Sequence, residues 1–509
     1  MILQKIFNRQ NIIIFIILTL GFILRFYHLT TVPAGFFCDE ATIGYNAYKI
    51  MTTGRDESGV LLPIFFKSLV FAPPITIYST IPFVALFGMN EFAVRFQAVL
   101  FGIITILFIY LIGKEIISKN CGLWSAFIAA ILPWLIHYNR VGFDYSSYIA
   151  ALSGSIFFLI KATSNKRFII LFFIFLGLTF YSYQPAKLFV PFLLLIGIVI
   201  YGKRLLLYPK YVFIGCVLFF LISLPMFLHI LSGEGFIRLN QISIFSVNLT
   251  IKEKINKFAS NYFYQFSPTF LLSKGDANNN RSLSGGLIPI LPITFPFLIF
   301  GLIELLKKIK HNYSQLLLFL VITYPVAGAI TMDGPFSGRS FIGAFLIALI
   351  TGIGISSLIK IFSKKTDRII VSLVFIVFFI VNLLFFIRFY FIEYPLYSSD
   401  FWGWQYGPKE IIKYFVKVQS SYDDLYLNAE FNGSEIFYKF YDPLNLCNNK
   451  CQIDTFYVHP YIINPNRRQL FTLSPDTLNK SLIKEKFLVK KTIYYPNNTI
   501  AFLIGEIVQ

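Results

Sequence analysis

Charge is what this sequence most lacks. Only 14% of its 509 residues are Asp, Glu, Lys or Arg, against about a quarter in soluble globular domains, which excludes an ordinary soluble enzyme. Cysteine is also scarce: five residues, Cys38, Cys121, Cys216, Cys447 and Cys451, are too few for a disulfide framework. No glycine pattern of the Walker or Rossmann kind stands in a strand-helix context, so no nucleotide site is visible. No internal repeat or low-complexity tract is apparent. What is present is apolar: 56% hydrophobic residues, 60 Phe and 30 Tyr, with a mean hydropathy of +0.68. The apolar residues come in blocks of the length that a hydrocarbon core of about 30 Å requires. The chain therefore reads as a polytopic membrane protein. Its net charge of +19 does not indicate nucleic acid, because the Lys and Arg residues gather at the ends of apolar runs, as membrane topology demands.

Eleven blocks qualify as spans: 12–29, 96–113, 122–138, 147–160, 168–181, 188–201, 211–231, 287–306, 316–331, 341–362 and 369–389. A twelfth, 73–88, is short and interrupted by Pro82. If it stays outside, the clusters around Lys5, Arg9, Lys114, Lys161, Lys203, Lys307 and Lys364 all face the cytoplasm; if it spans, every later cluster is inverted. The positive-inside tendency places it outside as a re-entrant or interfacial helix, with an uncleaved first span and a cytoplasmic N-terminus. Segments 30–95, 232–286 and 390–509 then face out. The expected organisation is a transmembrane catalytic part, 1–389, followed by an extracytoplasmic α/β domain, 390–509. In that tail Pro408 opens an amphipathic helix through Val418, Asp424 to Asn428 reads as a strand, and runs on either side of Pro496-Asn497-Asn498 read as a hairpin. Cys447 and Cys451 can form a local disulfide if the tail faces an oxidising compartment.

The first outer segment carries Asp39-Glu40 beside Phe36, Phe37 and Cys38. Adjacent, partly desolvated carboxylates repel, so at least one pKa rises, which suits a general base acting on a hydroxyl. The competing reading is capping: Asp39 at the N-cap of an amphipathic helix running through Tyr48 and Ile50. Further ionisable groups recur in short outer loops: Arg95, Arg140 with Asp144, Lys187, and Arg339. Each alone could be a snorkelling side chain. Together they describe an outward cavity holding acids and bases at one membrane depth. The second long loop adds an aromatic run, Asn261 to Leu272, then Gly275-Asp276 and Asn280-Arg281-Ser282, a half suited to phosphate or sugar hydroxyls although a solvated turn is the default for Gly-Asp.

These residues resemble the polyprenyl-phosphate-dependent membrane glycosyltransferases of GT-C architecture, family 39, the group of protein O-mannosyltransferases and lipid A aminoarabinose transferases. The resemblance runs from residue 12 to about residue 420. It rests on Asp39-Glu40, Pro73-Pro74 with Tyr78, Phe87-Gly88 leading to Glu91 and Arg95, Pro133-Trp134 leading to Arg140 and Asp144, the Asn261 to Asp276 block, and Trp402-Gly403-Trp404-Gln405-Tyr406-Gly407. It implies a mainly α fold with interfacial helices in the first outer loop. The implied reaction moves a monosaccharide, with inversion, from a polyprenyl phosphate to an acceptor hydroxyl on a protein, lipid or glycan. By position Asp39 matches the catalytic acid residue, Glu40 its companion and Asp144 a second acid, with Arg95 and Arg140 at basic positions near the site. A Lys common before the double proline is replaced by Ala72, and no His stands in 335–339. Donor phosphate contacts are then expected from Arg95 and Arg140 together with Lys67, Lys187, Arg281 and Arg339. No cofactor is required; the outer carboxylates could hold a divalent metal or work as bases. The rival readings are a lipid or glycan flippase, an oligosaccharyltransferase, whose Trp-Trp-Asp motif the tail lacks, and a non-catalytic sensor.

Overall fold

In lipid every backbone N–H and C=O must find its partner within the segment, so apolar blocks of this length fold as helices. The computed structural model describes residues 9–67, 71–276, 280–428, 430–447, 449–454 and 463–508; Lys5 of the topology argument lies outside them. A helix stands at each of the eleven predicted blocks, from Arg9–Phe26 to Lys365–Arg388. Six among the described residues are long and apolar enough to cross a bilayer: Glu91–Ile116, Tyr145–Ala162, Ala186–Leu205, Pro209–Leu231, Ile342–Ile361 and Lys365–Tyr397. Others are shorter than expected, and proline is one reason. The block 122–138 divides into Lys119–Ile131 and Pro133–Tyr138, because Pro133 has no N–H and disfavours helix at Leu132. Block 287–306 becomes helical only at Thr294, after Pro289 and Pro292.

The bundle packs on small residues. A Cβ added at Gly352 of Ile342–Ile361 would strike Ser125 of Lys119–Ile131, and one at Gly301 would strike the Ile350 carbonyl, the close backbone approach expected where lipid supplies no hydrophobic drive between helices. The first outer loop contributes two helices, Cys38–Thr53 and Pro74–Phe87, that lie against each other and against Glu91–Ile116. The last span continues through a π-helical turn, Phe389–Glu393, into Tyr394–Tyr397, and so delivers Tyr390 and Tyr394 to the rim of the bundle beside His137.

Beyond it lies a five-stranded sheet in the order Cys451–Asp454, Asp424–Asn428, Gln469–Leu473, Ile500–Ile507, Phe487–Tyr494. The first two pairings are parallel and the last two antiparallel. The Pro408–Val418 helix, the strand from Asp424 and the hairpin stand where the sequence places them. Cys447 and Cys451 are disulfide-bonded. The Ser434–Tyr441 helix docks this sheet onto the Cys38–Thr53 helix: the Phe440 ring lies 4.9 Å from Phe36, and a Cβ at Gly44 would collide with it. Glu91 completes the joint, accepting from Tyr441 Oη at 3.0 Å and from Lys409 Nζ at 2.8 Å.

Candidate active site

The chain between the first two helices is held by arginines. Arg95 spends all five donors: Nε and Nη2 on Glu40 at 2.9 Å each, Nη1 on the carbonyls of Leu29 and Pro33, Nη2 also on that of Gly35. Arg140 donates to the carbonyls of Leu24, Arg25, His28 and Val32 and lies over the rings of Tyr390 and Phe391. Burial and the Arg95 charge lower its pKa to about 10, against the partial compensation of Tyr390. Arg25, which sequence reasoning passed over as the end of an apolar run, is fully buried and bonded to Asn139 Oδ1 and the carbonyls of Gly21, Ala129 and Ala130. These are framework contacts. The expectation that Arg95 and Arg140 contact a donor phosphate is therefore corrected, since Arg95 has no donor left and both side chains are sealed from solvent.

Glu40 is corrected with them. Its carboxylate is fully buried, pairs with Arg95, and accepts from the Gly142 N–H at 2.8 Å and the Phe37 N–H at 3.3 Å. A carboxylate with this set of donors closes the helix N-terminus and is not a base facing a substrate. Phe37, not Asp39, is the N-cap residue, so the capping reading of Asp39 does not hold in that form. Asp39 is solvent-exposed, unlike its buried neighbours Cys38 and Glu40. Desolvation raises its pKa; the Arg281 charge opposes that rise, as do Cys38 and Arg238, while Glu40 adds to it. The Cys38 thiol lies 3.6 Å from Asp39 Oδ1, and the Cys38 N–H donates to Gln405 Oε1 at 3.2 Å, which ties the Trp402 to Gly407 segment to the same helix start.

Asp144, half-buried before the Tyr145–Ala162 helix, is brought to the same chamber. Burial raises its pKa to about 7, Thr76 of the Pro74–Phe87 helix holds it down in part, and the Asp39 charge pushes it further up. Arg281 is the cation opposite: its guanidinium lies 3.6 Å from the centre of the Phe37 ring and its charge is felt at Asp39. Aromatic rings complete the walls, with Phe143 6.1 Å from Phe37 and stacked 5.8 Å from Trp404, and Tyr145 5.1 Å from Tyr183.

The remaining predicted cations are placed differently. Arg339 is paired with Asp333 at 2.6 Å and bonded to Thr331. Lys187 donates to Gln184 Oε1 and the Gly235 carbonyl, and Lys67 lies exposed on a two-stranded ribbon. Two residues absent from the predicted site join it. Arg238, on the short Ile237–Ile242 helix, is exposed and its charge reaches Asp39. Asp276 is buried, accepts from the Ser337 N–H and hydroxyl, and has its pKa raised to about 7 by burial; the Gly-Asp pair was its only signal. Among the described residues no group of three or more His, Cys, Asp or Glu side chains converges as a metal site would.

This arrangement of helices and long loops is the GT-C fold, as the likeness to solved structures shows. Residues 72–229 match the family described as dolichyl-phosphate-mannose-protein mannosyltransferase, a stretch that includes Asp144 and Lys187 and begins beyond Asp39. The whole fold is similar to that of ArnT from Cupriavidus metallidurans bound to undecaprenyl phosphate, with a TM-score of 0.54, 10% identity and 97% of each chain covered. It is also similar to an oligosaccharyltransferase from Archaeoglobus fulgidus tethered to an acceptor peptide, with a TM-score of 0.56, 12% identity, 98% of this chain and 74% of that one covered. The AglB oligosaccharyltransferase of that organism in complex with an inhibitory peptide and a dolichol-phosphate gives a TM-score of 0.53 at 14% identity, over 85% of this chain and 59% of that one. No curated protein matches the sequence at a significant level.

Proposed function

We propose that the chamber transfers a monosaccharide from a polyprenyl phosphate to an acceptor hydroxyl at the extracytoplasmic face, with Asp39 as general base and inversion at the anomeric carbon. The acceptor oxygen loses its proton to Asp39 as it attacks that carbon from the side opposite the phosphate. The bond from the anomeric carbon to the phosphate oxygen breaks, and its electron pair leaves with the phosphate. Negative charge grows on the departing group, so a fixed guanidinium stabilises the transition state more than the ground state; Arg281 is the principal cation and Arg238 the second. Asp144, titrating near neutrality, binds the sugar or acceptor hydroxyls. The lipid tail of the donor lies between the helices, and the sheet at 390–509 sits with the site outside the membrane.

The observation that carries this reading is that the accessible Asp39 carboxylate feels the charge of Arg281, whose guanidinium lies 3.6 Å from the centre of the adjoining Phe37 ring. The binding of undecaprenyl phosphate by ArnT and of dolichol-phosphate by AglB supports the choice of donor class. Asp39→Asn should abolish transfer from a synthetic polyprenyl-phosphate sugar while leaving the protein inserted and monodisperse. Loss of a positioned base costs about 10²–10⁴ in rate, and transfer by the variant at near wild-type rate would remove Asp39 from its role.

A further inference from the structure

His137 lies at the centre of the outer end of the bundle, on the six-residue helix Pro133–Tyr138, fully buried. A buried histidine with two satisfied nitrogens is ordinarily only a packing residue. Here its partners connect two distant parts of the site. Nε2 lies 3.0 Å from the backbone carbonyl of Arg281, and Nδ1 lies 3.2 Å from Tyr390 Oη. A carbonyl oxygen can only accept, so Nε2 carries the proton and the Tyr390 hydroxyl donates to Nδ1. Tyr390 is in turn packed beneath the Arg140 guanidinium and stacked on Tyr394. The anchor is thus rigid at its far end.

The backbone on either side of it is held as well, the Leu283 carbonyl by the Asp276 N–H and two further carbonyls from the end of the last span. Tyr394 Oη donates to the Asn280 carbonyl at 3.0 Å and Tyr397 Oη to the Ser284 carbonyl at 2.9 Å, both from the turn that ends the last span. His137 supplies the bond at Arg281 itself, from a different helix. That bond sets where the Arg281 side chain leaves the backbone, on its way to the face of Phe37 beside Asp39.

We propose that His137 is a positioning residue for the transfer reaction, a neutral Nε2–H tether that holds the Arg281 main chain so that its guanidinium faces Asp39. This rests on the reading of Asp39 and Arg281 given above. If the tether is lost, Arg281 moves away from Asp39 and the carboxyl keeps its proton to higher pH. The groups that face Asp39 are Cys38 and Glu40 on its own helix, Arg281 and Arg238 from the long loop, and Asp144 and Tyr145 at the start of the Tyr145–Ala162 helix; of these only Arg281 is bonded to His137.

The test compares His137→Leu, which removes the donor, with His137→Gln, whose side-chain amide can restore it, in the full-length protein in detergent or nanodiscs. The first readout is independent of activity: tryptic cleavage after Arg281, measured by mass spectrometry against cleavage at the exposed Lys252. His137→Leu should raise the ratio severalfold and His137→Gln should bring it back towards wild type. The second is the pH profile of transfer from a synthetic polyprenyl-phosphate sugar. In His137→Leu, kcat should fall about 10- to 100-fold, as expected when a group at the reacting centre is displaced by about 1 Å, and the acidic limb should move to higher pH. An unchanged cleavage ratio overturns the tether; a raised ratio with an unmoved limb overturns the positioning role. If His137→Leu does not fold, Tyr390→Phe removes the hydroxyl that fixes Nδ1 and should move both readouts in the same direction by less. A wild-type protein with no transfer at all would sink the transferase reading and leave the proteolysis to decide the tether.

Discussion

Two sides of one chamber use arginine in opposite ways. On the floor, formed by residues 24–40 and 139–144, Arg95 and Arg140 are spent on carbonyls and on Glu40. On the wall formed by the long outer loop, Arg281 lies flat on Phe37 and keeps its charge directed at Asp39. The residue type is the same, yet the first pair is sealed among its partners while Arg281 is only half-buried. What separates them is how fully backbone carbonyls consume the donors: Arg95 and Arg140 are surrounded by them, whereas Arg281 gives Nη1 to the Trp402 carbonyl at 3.4 Å. A membrane protein gains more from such use than a soluble one, because an unpaired carbonyl in a water-poor interior costs several kcal/mol.

The contrast can be broken most severely on the floor. Arg95→Met leaves Glu40 buried without its partner and three carbonyls unsatisfied; removal of one member of a buried ion pair costs about 3–5 kcal/mol, so the variant should show a large loss of folded, monodisperse protein in a thermal-shift assay. The wall should respond differently. Arg281→Ala should keep wild-type Tm and lose about 10²–10³ in kcat, the cost of removing one preorganised donor to developing charge. If Arg281→Ala unfolds the protein or Arg95→Met merely slows it, the division is wrong. The smallest effect concerns protons. Asp144 and Asp276 have folded pKa values of about 7 against an ordinary 3.8, so between those values the folded chain binds more protons than the unfolded one. Their stability contribution is complete below the ordinary value and is lost as pH rises through 7. Asp144→Asn should remove one of the two contributions and flatten the fall in Tm between pH 5 and pH 8; an unaltered slope would mean that Asp144 titrates as it does in water.

Much of this could be read before the fold was known, and the rest fails for identifiable reasons. Apolar length marked each helix, Pro133 marked the break, and Pro496-Asn497-Asn498 marked the hairpin, because these signals are local. The strand Gln469–Leu473 lies buried between partners that begin at Asp424 and Ile500, and nothing nearby announces it. The acidic pair was visible, but its division of labour was not. Glu40 is bound by Arg95 and Gly142, 55 and 102 residues away, so the neighbour that looked like a companion in chemistry is a piece of framework. Arg25 was hidden by the rule that a cation at the end of an apolar run snorkels. His137 was hidden because both of its partners are remote in sequence, a main-chain carbonyl 144 residues later and the Tyr390 hydroxyl 253 residues later.

The contact of Phe440 with Gly44 has a bearing on how such proteins can be recombined. The helix that presents Asp39 has no room for a side chain at Gly44, since the ring from the C-terminal sheet occupies that space. A chimera that grafts another tail onto this bundle must bring a ring of the same reach or leave a void against the Cys38–Thr53 helix, and a bundle with any larger residue at that position would reject the present tail. Acceptor preference, if it resides in the tail, is then inherited together with the helix it leans on.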